Sequence, residues 1–91
     1  MYMYFLAKLI TWNGLDGFDC DFSGNIVDFK FANDFSTCRQ YCRADMRCTS
    51  FSWLNPSCNL KSGNFNKSEA ISSSNRCGLI GKYTLIKMMI R

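Results

Sequence analysis

Between Thr49 and Lys61 the chain alternates with a period of two. Phe51 and Trp53 fall on one side, and Ser50, Ser52 and Leu54 on the other. That is the two-residue period of a strand. Asn55-Pro56 interrupts it with a turn signal, so Thr49–Leu54 and Ser57–Lys61 are predicted as two strands of a hairpin. Upstream, Val27, Phe29 and Phe31 alternate with Asp28 and Lys30, which predicts a strand over Ile26–Phe31 that buries its phenylalanines. From Thr37 to Met46 the spacing becomes helical. Cys38, Tyr41, Cys42 and either Asp45 or Met46 share one face, the predicted inner face, and Asp34 or Ser36 supplies the N-cap. A helix of about ten residues is marginal alone, so packing and sulfur must hold it.

The remaining stretches are less regular. Residues 13–21 are rich in turn formers and contain Asp16, Asp19 and Asp21. They lack the spacing and closing glutamate of a calcium loop, and read as a solvated acidic turn. Ser23-Gly24-Asn25 is a tight turn. Ser62–Arg76 is polar and rich in serine and asparagine; it is predicted as a long surface loop pinned by Phe65 or Ile71, with a last strand over Leu79–Leu85. The opening MYMYFLAKLI is apolar apart from Lys8. It has no basic start, no unbroken apolar run and no small-residue cleavage pattern, so residues 1–12 read as an edge strand or a flank in preference to a leader. The domain is expected over 13–85, with 86–91 as a tail.

Composition adds the decisive constraint. Ninety-one residues carry six cysteines and no histidine. A core this small is marginal, and sulfur chemistry must supplement it. No C-x2-C knuckle is present and zinc spacings fail, so disulfides are expected and no metal or cofactor is. Disulfides persist in oxidising compartments, which points to secretion. The net charge of +4 is too small for a nucleic-acid binder, and no apolar run is long enough to span a membrane. Without histidine there is no Ser–His or Cys–His pair, and Glu69 has no partner carboxylate, so catalysis is not expected.

Four cysteines follow the spacing C-x3-C-x5-C-x9-C from Cys38 to Cys58, with Cys20 before them and Cys77 after. Fifteen pairings exist for six cysteines. Thiols on adjacent turns of one helix are poorly placed to bond each other, so Cys38 and Cys42 each reach a different partner. The short loop favours Cys42 with Cys48; Cys38 then reaches Cys58, leaving Cys20 and Cys77.

The ordered set Cys20, Cys38-x3-Cys42-x5-Cys48, Phe51-x-Trp53, Cys58-x-Leu60-Lys61 and Cys77-Gly78 resembles the PAN/apple domain, over about residues 16–83. The resemblance implies bonds from first to last, second to fifth and third to fourth cysteine: Cys20–Cys77, Cys38–Cys58 and Cys42–Cys48. It implies an α+β disulfide-rich fold, a curled and mostly antiparallel sheet cradling one helix. It also implies a non-catalytic extracellular module that binds proteins or carbohydrates.

The candidate ligand surface is Arg39, Arg43 and Arg47, at successive i, i+4 positions, with Lys61 and Lys67 nearby. Guanidinium forks suit sulfate and carboxylate, which makes an acidic polysaccharide a partner to test. Asn66-Lys67-Ser68 is a glycosylation sequon. The alternative role is a structural or adhesive repeat of a larger secreted protein.

Overall fold

The computed structural model describes residues 9–80. In chain order it contains β1 (Thr11–Asn13), β2 (Asp16–Phe22), β3 (Asn25–Phe31), α1 (Phe35–Ala44), β4 (Ser50–Leu54), β5 (Ser57–Ser62), a single 3-10 turn (Lys67–Glu69) and β6 (Ala70–Leu79). The strands form one antiparallel sheet in the order β1-β2-β6-β4-β5-β3. The fold is therefore α+β and disulfide-rich, one helix against an antiparallel sheet. β1, at the edge of the described sheet, begins inside the stretch read as an edge strand or a flank. The residues of the 1–12 flank before Leu9, the last strand beyond Ile80 and the 86–91 tail lie outside the described residues.

Helix α1 starts where a carboxylate can hold its first free donors. Asp34 is the N-cap, and its side chain accepts from the Thr37 N–H at 2.7 Å. Cys38 and Cys42 lie on its inner face, fully buried. Opposite them the register pairs Phe51 with Leu60 and with Gly78, and Trp53 with Cys58 and with Arg76. Residues directly opposite point to the same face, so these side chains form the floor beneath the helix. Phe35 lies 5.1 Å from the Phe51 ring and 6.3 Å from Trp53, whose Nε1 donates to the Ala32 carbonyl. Gly78 is required here because a Cβ would strike the Phe51 ring.

A second, smaller core lies on the other face. Cys20, Phe22, Cys77 and Leu79 are buried there, with Ile10 and Trp12 laid across them. Gly17 is the point of closest approach: a Cβ would sit 2.5 Å from the Cys20 sulfur and 3.0 Å from that of Cys77. The bonds are Cys20–Cys77, Cys38–Cys58 and Cys42–Cys48. The first lies in the second core; the other two anchor α1.

Four expectations are corrected. The residues read as a loop after Ser62 contain β6, ten residues long and lying between β2 and β4. Its first half pairs with β2 and its second half with both neighbours. Backbone pairing makes it a strand despite a polar sequence that does not alternate. Phe65 and Ile71 are exposed and pin nothing. The acidic turn is likewise strand β2: Asp16 pairs with Arg39, and Asp21 with Lys61 at 2.9 Å. In β3 the alternation is inverted. A bulge between Ile26 and Asp28 inserts Val27, so Val27 packs beneath the helix while Phe29 and Phe31 turn to the opposite face and are exposed.

Candidate ligand-binding surface

Helix α1 has two flanks, and its arginines divide between them. On the flank toward β2 and β6, Arg39 donates to the Leu79 carbonyl at 3.0 Å and forms an ion pair with Asp16. Its guanidinium lies 5.1 Å from the Phe51 ring centre and 5.7 Å from that of Phe35. Arg76 enters the same column from β6, 3.8 Å from Phe35 and 4.3 Å from Phe18. Burial, and then the like charges of Arg43 and Arg76, push Arg39 down from the ordinary arginine range. Asp16 is the counter-charge that holds it. Arg39 is thus a tie between helix and sheet.

Arg43 is exposed in the last turn of the helix. The chain then leaves helical geometry at Asp45, and Arg47 is carried away from the i, i+4 row. Arg47 folds back instead: its Nε and Nη2 donate to the two Asp45 carboxylate oxygens at 3.0 and 2.7 Å. This fork holds the Asp45 carboxyl below the usual carboxylate range, chiefly through the hydrogen bond. Lys61 is buried on the opposite face of the sheet, bonded to Asp21 and the Phe22 carbonyl. Lys67 lies on the 3-10 turn, 5.4 Å from the Trp12 ring centre. Asn66, exposed, accepts from the Ser68 hydroxyl at 2.6 Å. The five cations are therefore not gathered on one surface.

On the flank toward β3, sequence reasoning missed a groove of about 420 Å³ lined by Asp28, Lys30, Tyr41, Ala44, Asp45, Met46 and Arg47. The Val27 bulge builds it, since the shift turns Asp28 and Lys30 toward the helix. Lys30 lies 3.6 Å from Asp28 and 5.5 Å from the Tyr41 ring centre. Two carboxylates and two cations surround a half-buried aromatic ring, with no charge in excess. Such a lining offers donors and acceptors together beside an apolar surface, as hydroxyl-rich ligands require.

No helix among the described residues is long and apolar enough to cross a membrane. A family model described as PAN domain matches residues 20–84, most of the chain. No curated protein and no solved structure matches.

Proposed function

The chain belongs to the PAN domain family, and on that premise we propose that it is a non-catalytic extracellular binding module whose ligand seat is the groove between β3 and the end of α1. PAN domains bind proteins or carbohydrates and occur in extracellular proteins, a setting the three disulfides fit. The proposed module spans residues 13–85.

One observation carries the choice of seat: the groove is where Tyr41 and four charged ends converge. Its balanced charge favours a neutral, hydroxyl-rich glycan or a polar peptide. The acidic-polysaccharide reading is the runner-up. It rests on the net charge of +4 and on exposed Arg43, because Arg39, Arg47 and Lys61 already have carboxylate partners.

The two are separable by titrating the chain with neutral and with sulfated oligosaccharides and following backbone amide shifts. For the groove, shifts should cluster on Lys30, Tyr41 and Met46, and Tyr41→Ala should weaken affinity at least about tenfold. Neutral-glycan binding unaffected by Tyr41→Ala would remove the groove. Retention on heparin that Arg43→Ala abolishes would instead favour the polyanion.

A further inference from the structure

The sheet face turned away from α1 is half covered. Trp12 and Ile10 lie over the second core at β2 and β6, and Ser50, Ser52 and Lys61 are buried beside it, but the rim along β3 and the Leu54 end of β4 is exposed. Phe31, Ser57 and Leu54 form one cross-strand row, Phe29, Asn59 and Ser52 the next, and Ile26, Lys61 and Ser50 a third. Along these rows Ile26 is 60% exposed, Phe29 45%, Phe31 71% and Leu54 54%. Apolar side chains gathered in this way mark an interaction surface. They lie at the last strand of the sheet, since β5 is the one strand described beside β3. The Phe29 N–H is held by its neighbour's side chain, bonded to the Asp28 carboxylate at 2.8 Å. A backbone donor on the outer rim of the strand is thereby capped from within the strand.

We propose that two copies of this chain join edge to edge through β3, antiparallel, about a two-fold axis at Phe29. The strand reads Asp28-Phe29-Lys30, a sequence complementary in charge to its own reverse. In this register Asp28 stands opposite the partner's Lys30, and Lys30 opposite the partner's Asp28, on the α1 side. Phe29 meets the partner's Phe29 on the open side, with the Phe31 rings beyond. The Phe29 N–H passes from Asp28 to the carbonyl of the partner's Phe29, and the freed carboxylate turns to the partner's Lys30. Charges and bulges also serve to blunt sheet edges. Here the bulge at Val27 precedes the paired stretch, and the exposed aromatic row is what a blunted edge would lack.

Sedimentation equilibrium of the disulfide-intact chain, without ligand, tests this from about 10 μM to about 1 mM. The expected result is a concentration-dependent dimer. Asp28→Lys or Lys30→Asp alone sets like charges across the axis and should weaken association at least about tenfold. Mixing the two variants restores opposite charges at both positions and should restore dimerisation between them. Circular dichroism and a disulfide map of each variant confirm that it has folded. A chain that stays monomeric throughout, a dimer indifferent to both substitutions, or variants that associate no better mixed than alone would each overturn the proposal. Capture of an extended peptide on β3 by a chain that never self-associates would overturn it too, assigning the edge to another protein. Asp28 and Lys30 also line the groove, but no ligand is present in these experiments and their readout is association alone, so a failed dimer leaves the groove reading standing.

Discussion

Arg39 shows how one side chain changes role with its surroundings. On a bare helix it is one of a row of cations; in the fold it bonds the Leu79 carbonyl, faces Asp16 and covers Phe51. Arg39→Ala should therefore cost about 1–3 kcal/mol, through a lost charge-assisted hydrogen bond, lost packing and a carboxylate left without its partner. Urea unfolding should show this as a lower midpoint at unchanged slope. Arg39→Lys should recover less than half, because an ammonium cannot bond the carbonyl, face the carboxylate and stack at once. A variant as stable as the parent would return Arg39 to the surface row.

At the scale of the element, α1 is set by its start. Thr37, by backbone and then side-chain hydrogen bonds, holds the Asp34 carboxyl below its ordinary value of 3.8. A depressed folded-state pKa stabilises the fold above the unfolded value and loses that effect as pH falls through the folded one. Asp34→Ala should therefore lower stability at neutral pH, and the gap to the parent should close below about pH 3.8. Thermal melts across that range check it; a gap that stays constant with pH would place the effect elsewhere. The helix and the β4–β5 hairpin were legible in sequence because their signals are local: a period, a cap, a proline turn. β6 was not, because Ala70–Asn75 carries no alternation and is a strand only by virtue of its neighbours. The facing of β3 was misread for a related reason. One extra residue at Val27 reverses every side chain after it, and period alone does not show a bulge. Arg76 and the groove were hidden behind these two errors, since one lies on β6 and the other depends on the turned Asp28 and Lys30.

Across the whole molecule the three bridges close loops of very different length, with sequence separations of 57, 20 and 6 residues. In the loop-entropy description they contribute about 4, 3 and 2 kcal/mol respectively. Removing Cys20 and Cys77 together should thus destabilise most, Cys38 with Cys58 next and Cys42 with Cys48 least, as paired alanine variants unfolded in urea would show. A different order would mean that packing around the sulfurs outweighs loop length. The longest bridge has another effect. It ties β2 to β6 across the exposed Phe65–Glu69 stretch, so an extracellular protease that nicks the backbone there leaves two fragments still joined by sulfur. Clipped material would run as one band on a non-reducing gel and separate only after a reductant, and the severed polypeptide would travel as a single body.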